Sequence, residues 1–233
     1  MTTTTLTTTG MPPARPFSAE ECAALARAGI IDAGERDDVL AGRRRFTVDE
    51  YLAMEAAGIL YKSDRVELID GVIIVMPPIG DRHVGGTNWA TTLFVPPLIG
   101  RATVQMAGPI YLNDNTAPEP DAVLRRWSAP GSGATGRATP DDVYLVIEFA
   151  DSSLAYDRGA KLARYAAAGI PEVWVANLRA REVTSYAEPS GSEYTAVHVY
   201  QAEDSISPRA FPDVILAVSD FMPPAGPDNA ESL

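Results

Sequence analysis

A chain of 233 residues with 46% hydrophobic side chains is long enough to bury one sizeable core with extensions. Its longest apolar runs, such as Val72 to Met76, are far too short to span a bilayer, so no membrane anchor is implied. A net charge of -12 argues against a protein that grips nucleic acid through a broad basic surface, but the deficit is uneven: residues 43–200 hold fifteen basic and nineteen acidic side chains, and the two ends carry the rest.

The Thr-rich start followed by MPPARP reads as a disordered leader over residues 1–16. It has neither the positive n-region nor the apolar h-region of a secretory signal, so a cytoplasmic location is expected. Cys22, the single cysteine, excludes an intrachain disulfide and reads as a small buried hydrophobe. Ser18 to Glu21 forms a capping box that opens a helical extension over residues 17–42, and Thr47 to Glu50 forms a second one before a helix that Gly58 stops. Between them Arg43, Arg44 and Arg45 read as a solvated linker or a phosphate contact.

From residue 43 to 220 the pattern is that of one mixed domain. Asp70-Gly71 between Arg65–Ile69 and Val72–Met76 is a strong hairpin signal. His83 to Val95 reads as a helix with Trp89 and Leu93 on one face, broken at Pro96. Two strands follow, Ala102 to Leu112 and Asp121 to Arg125, joined by the turn-rich NDNTAPEP. After a GSGATG loop, Val143 to Phe149 is a strand of the kind buried on both faces. Asp157 to Ala168 is a helix ended by Gly169, and strands are expected at 172–176, 182–187 and 194–200. Residues 221–233 form a flexible acidic tail.

Glu148 is the residue that most demands an explanation, because a carboxylate inside VYLVIEF must be paired, metal-bound or neutralised. Asp121, after Pro120, places a second acid at the mouth of a neighbouring strand. Two such carboxylates repel unless a cation lies between them, and oxygen donors favour Mg²⁺ or Mn²⁺. Zinc has too few nitrogen and sulfur donors, with His83, His198 and Cys22 the whole supply. No phosphate loop or dinucleotide fingerprint is present. Neutralising either acid should relieve repulsion and spare the fold. Lys161 is one of only two lysines among nineteen basic residues. It reads either as a surface partner of Asp157, one helical turn earlier, or as a group that needs a lysine's ability to lose its proton.

The blocks ELIDG at 67–71, PD at 120–121, VIEFADSS at 146–153 and DRGAKLARYAAAGIPEVW at 157–174 resemble, in this order, the Uma-two-type family of restriction endonucleases over about residues 45–218. The resemblance implies an α/β fold of the PD-(D/E)xK, restriction-endonuclease-like kind: a mixed β-sheet core flanked by helices, here with the N-terminal helical extension. It implies Asp121 and Glu148 as metal ligands for Mg²⁺ or Mn²⁺, Glu67 as a third acid, and Lys161 as the water-activating or charge-stabilising group. Phosphodiester hydrolysis in DNA follows, carried out by a homodimer. A catalytically silent relative acting as a binding or assembly module is the alternative. The lysine of the motif would stand two residues after Glu148, where this chain has Ala150, and Lys161 matches the family's replacement on the next helix. ADSS also departs from the family's usual serine-proline sequence.

Overall fold

Short local signals set the first elements, and burial then extends or overrides them. The computed structural model describes residues 11–78, 81–129 and 137–222, without the side chains of Lys62, Asp81, Arg82, His83 and Phe221. The first ten residues of the expected leader, the GSGATG loop and the tail beyond 222 lie outside the described residues, as does the His83 side chain. The chain divides into two compact units, Met1–Pro78 with Pro109–Glu119, and Ile79–Gly108 with Pro120–Leu233.

In the first unit both capping boxes form. Ser18 Oγ accepts the Glu21 N–H at 3.1 Å while Glu21 Oε2 accepts the Ser18 N–H at 2.8 Å, opening α1 (Ala19–Arg27). Thr47 and Glu50 repeat the exchange at the start of α3 (Val48–Ala56). A short α2 (Arg36–Leu40), which no motif announced, lies between them. Arg44 of the expected linker pairs with Glu50 at 2.6 Å and covers the Phe46 ring, so this arginine belongs to the packing. The hairpin of β1 (Val66–Ile69) and β2 (Val72–Val75) has the expected two-residue turn. Asp70 and Gly71 both take positive φ, 50° and 75°, the turn whose twist matches the strands. A Cβ on Gly71 would also come within 2.8 Å of the Arg45 Cβ.

Two expectations for this unit change. Residues 13–15 of the expected leader lie along β2, with the Arg15 N–H on the Ile73 carbonyl at 2.7 Å and the Val75 N–H on the Pro13 carbonyl at 3.0 Å. Residues 17–42 are no appendage either. Phe17, Cys22, Leu25 and Val39 share one core with Phe46, Tyr51, Met54 and Leu68.

The second unit is built on a mixed sheet in the spatial order β3 (Ala102–Met106), β4 (Ala122–Arg126), β5 (Val143–Ala150), β6 (Glu172–Asn177), β7 (Glu182–Ser190) and β8 (Glu193–Tyr200). Only β5 and β6 run parallel, and parallel neighbours need a crossover. Residues 154–167 supply it as α5 (Leu154–Tyr156), a π-helical turn over Asp157–Lys161, and α6 (Leu162–Ala167). A two-stranded ladder of β9 (Ser205–Ile206) and β10 (Leu216–Ala217) completes the unit.

The helix α4 (Asp81–Leu98) runs through Pro96 and Pro97 instead of ending there. Two missing N–H groups weaken its last turn, but Leu98 is fully buried in the core with Ala90 and Phe94, and that burial wins. The buried stripe is therefore Ala90, Phe94 and Leu98; of Trp89 and Leu93, expected on one face, Trp89 is 45% exposed and Leu93 packs partly buried against the core. Gly86 lets α4 approach β5, since a Cβ there would stand 2.7 Å from the Phe149 ring. β3 stops at Met106, six residues early, because Ala107 and Gly108 turn left-handed at φ 54° and 89°. No helix among the described residues is long and apolar enough to cross a membrane.

Candidate active site

β5 alternates between two buried faces. Leu145, Ile147 and Phe149 enter the core beneath α4, which leaves Val146 and Glu148 on the opposite face, where the crossover passes. Ala122 on β4 is paired with Ile147, so Asp121, one residue before, falls opposite Glu148, one residue after. Directly opposed residues in an antiparallel pair point to the same face. Continued one step past the ladder, this register sets Asp121 beside Glu148. Asp121 is half-buried, and its Oδ2 accepts the Phe149 backbone N–H at 2.7 Å.

Glu148 is 2% exposed, and its Oε1 accepts the Tyr165 hydroxyl at 2.6 Å and faces Lys161 Nζ at 3.0 Å. Lys161 is itself only 2% exposed and lies 5.9 Å from the centre of the Tyr156 ring. This corrects the reading of Lys161 as a surface partner of Asp157, which is also buried and accepts the Ser153 hydroxyl. The π-helical turn that ends at Lys161 shifts helical phase by a residue, an irregularity that recurs at functional sites. Tyr165 then follows Lys161 by four residues, on the same helical face. That spacing within KLARY was the signal by which the sequence could have given Tyr165 a role.

The buried pair also corrects the expectation that neutralising either acid spares the fold. Desolvating two ions costs several kcal/mol each, and removing one partner strands the other, a loss of about 3–5 kcal/mol. Glu148→Gln takes the Glu148 charge away from the Lys161 ammonium. Asp121, less buried and bonded to a backbone N–H, does not carry that penalty to the same degree.

Glu67 lies on β1 opposite Ile74, in the first unit, whereas Asp121, Glu148 and Lys161 belong to the second. At 3% exposure it is no solvated face. Burial and the nearby Glu119, Glu55 and Glu67 charges push the Tyr51 phenol well above its ordinary value. Another buried acid, Glu172, went unremarked in the sequence. It accepts Trp174 Nε1 at 2.7 Å, Ser185 Oγ at 3.3 Å and the Arg209 N–H at 2.8 Å, and burial raises its pKa. Those bonds pin the loop before Phe211 to β6 and β7, which is a structural task.

Among the described residues no three His, Cys, Asp or Glu side chains stand together as a metal cage. Asp121 and Glu148, neighbours by register, both offer hard oxygens. Mg²⁺ is ordinarily held by one or two carboxylates with water and substrate phosphate completing its octahedron, so this pair fits that ion.

The chain matches the model of the Uma2 family, described as "Putative restriction endonuclease", over residues 48–219. A solved structure described as a "putative nuclease belonging to DUF820", from Anabaena variabilis, superposes with a TM-score of 0.56 at 16% identity, covering 76% of this chain and 97% of that one. That similarity establishes the restriction-endonuclease-like nuclease fold for the mixed six-stranded sheet and its flanking helices. No curated protein matches the chain. With the matched span running from α3 to the far side of the sheet and taking in both acids and Lys161, the chain belongs to the Uma2 family.

Proposed function

We propose that the chain is a metal-dependent endonuclease that hydrolyses phosphodiester bonds in DNA, with Asp121 and Glu148 as ligands of Mg²⁺ or Mn²⁺ and Lys161 as the catalytic base. The observation that carries this reading is the Lys161–Glu148 contact of 3.0 Å, with both groups buried, beside the opposed Asp121. A buried ion pair is a poor stabilising device compared with apolar packing, so its presence favours a chemical role.

The bound ion would polarise the scissile phosphate and lower the pKa of its water. The chain's own residues do the rest. The Phe149 N–H holds Asp121 through Oδ2, and the Tyr165 hydroxyl holds Glu148 through Oε1. Lys161 Nζ takes the proton of the attacking water as an amine, or steadies the phosphate charge as an ammonium, and only the first role is closed to arginine. A homodimer, with two sites for two strands, and a cytoplasmic setting that suits the free Cys22 belong to the same proposal.

The binding-module reading has one observation in its favour: Glu148 Oε1 is already engaged by Lys161 and Tyr165. Cleavage of plasmid and single-stranded DNA with Mg²⁺ or Mn²⁺, together with calorimetric Mn²⁺ titration, separates the two. Wild type should cut. Asp121→Asn should lose Mn²⁺ binding while melting near wild type, and Lys161→Arg should stay folded and lose cleavage. Glu148→Gln counts only where circular dichroism shows it folded. Wild-type Mn²⁺ affinity in Asp121→Asn would sink the metal site, cleavage retained by Lys161→Arg would reject lysine as base, and no wild-type cleavage would favour the module.

A further inference from the structure

The sheet face that carries Val146 and Glu148 continues across β4 onto β3. Val123 is paired with Val146 on one side and with Gln105 on the other, while Val104 and Met106, either side of Gln105, pack against the core beneath α4. Gln105 therefore lies on the Glu148 face. Arg125 joins it there: Nη1 donates to Gln105 Oε1 at 2.6 Å, and Gln105 Nε2 donates in turn to the Gly108 carbonyl at 3.1 Å. Thr103, Gln105, Asp121 and Arg125 are all half-buried, so this stretch of the face is partly open where Glu148 is closed over.

Arg125 is oriented without being neutralised. Arg15, Arg44, Arg101, Arg158 and Arg209 each stand within 3.0 Å of a carboxylate, as expected where acids outnumber bases. Among the described residues Arg125 has no carboxylate at that range; its partner is a neutral amide, and its Nε is buried without a hydrogen bond. Asp142 feels the Arg125 charge, yet its Oδ2 is already taken by the Thr139 N–H and hydroxyl, both at 2.9 Å. A guanidinium steadied by an amide, with donors left over, suits the oxygens of a phosphate.

We propose that Arg125 binds a backbone phosphate of the nucleic-acid strand whose scissile bond lies at Asp121 and Glu148. The inference rests on the catalytic reading and adds a substrate contact to it. Arg125 stands four residues from Asp121, about 13 Å along the strand, so the phosphate it holds is a neighbour of the scissile group. Its task is positioning: a contact to the backbone fixes the strand's register over the acids and adds affinity, and it reads no sequence.

Fluorescence anisotropy of a short labelled duplex with Mn²⁺, in a Lys161→Arg background so that the duplex stays uncut, reads the contact directly. Arg125→Gln should weaken binding about tenfold whatever the sequence, and flatten the dependence of log affinity on log salt by about one. Mn²⁺ affinity by calorimetry should stay at the parent value. Arg125→Lys, which keeps the charge, should restore the slope, and Arg125→Met takes the place of Arg125→Gln if circular dichroism shows the glutamine variant unfolded. Arg101→Gln removes an equal charge from the exposed ion pair with Asp213 and should leave the slope alone. With Lys161 intact, Arg125→Gln should raise KM for cleavage by a similar factor and leave kcat within about twofold. Parental affinity and slope in the Arg125 variants, or an equal loss in Arg101→Gln, would overturn this inference and leave the catalytic reading standing. A wild type that binds no duplex with Mn²⁺ would overturn both.

Discussion

Tyr165 illustrates how a single hydroxyl can govern a site without entering the chemistry. Its bond of 2.6 Å to Glu148 Oε1 fixes the carboxylate that Lys161 also faces, and both partners are buried. Tyr165→Phe keeps the ring in its pocket and deletes only that donor. A hydrogen bond to a charged group is worth about 1.5–3 kcal/mol, so the melting temperature should fall. A positioning role predicts more than that. Mn²⁺ affinity should drop by about tenfold, the usual cost of losing a group that orients a ligand, and kcat should fall more than KM rises. Reduced stability with unchanged Mn²⁺ affinity and unchanged kinetics would make the hydroxyl a structural bond alone. Asp121 provides the contrast at the same scale. Its orienting donor is the Phe149 backbone N–H, which substitution of side chains leaves in place.

Between elements, the π-helical turn is tied to the sheet by Arg158, which reaches Glu182 Oε1 at 3.0 Å and Thr184 Oγ1 at 2.8 Å on β7. The Arg158 hydrogen bond holds the Glu182 carboxyl below its ordinary value of 4.5. A lowered carboxylate pKa stabilises the fold above the unfolded value, and that contribution is lost as pH falls through the folded one. Glu182→Gln should therefore cost about 0.5–1 kcal/mol near pH 7, allowing for solvent screening at this partly exposed pair. The gap to wild type should narrow as pH drops below 4.5, and denaturant melts that keep a constant gap across the acid range would remove Arg158 as the cause. Elements of this kind also show which signals were local. The capping boxes at Ser18 and Thr47, the Asp70-Gly71 turn and the acid inside VYLVIEF depend on neighbours in the chain, and all were legible. The continuation of α4 past Pro96, its rotation toward Ala90 and the early end of β3 are decided by burial of Leu98 and by backbone turns at Ala107 and Gly108. The burial of Lys161 against Glu148 joins a helix to a strand, a contact no helical spacing encodes.

For the whole molecule the governing quantity is the charge of -12. Binding to DNA draws most of its sequence-independent strength from cations that displace counterions, and this chain has few to offer relative to its acids. Its acids at 121 and 148 would add to the repulsion of a phosphate backbone unless a cation reverses the local sign. A nuclease of this composition should accordingly bind duplex only with its metal. Fluorescence anisotropy with a short labelled duplex should show no binding in EDTA and measurable binding with Mn²⁺, and Asp121→Asn should behave with Mn²⁺ as wild type does in EDTA. Because few phosphate contacts are available, the fall in affinity with added salt should be shallow compared with that of proteins making about 6–10 phosphate contacts. Equal affinity with and without Mn²⁺ would show that DNA is held by a surface other than the acid pair, and the proposed site would then lack its role in substrate capture.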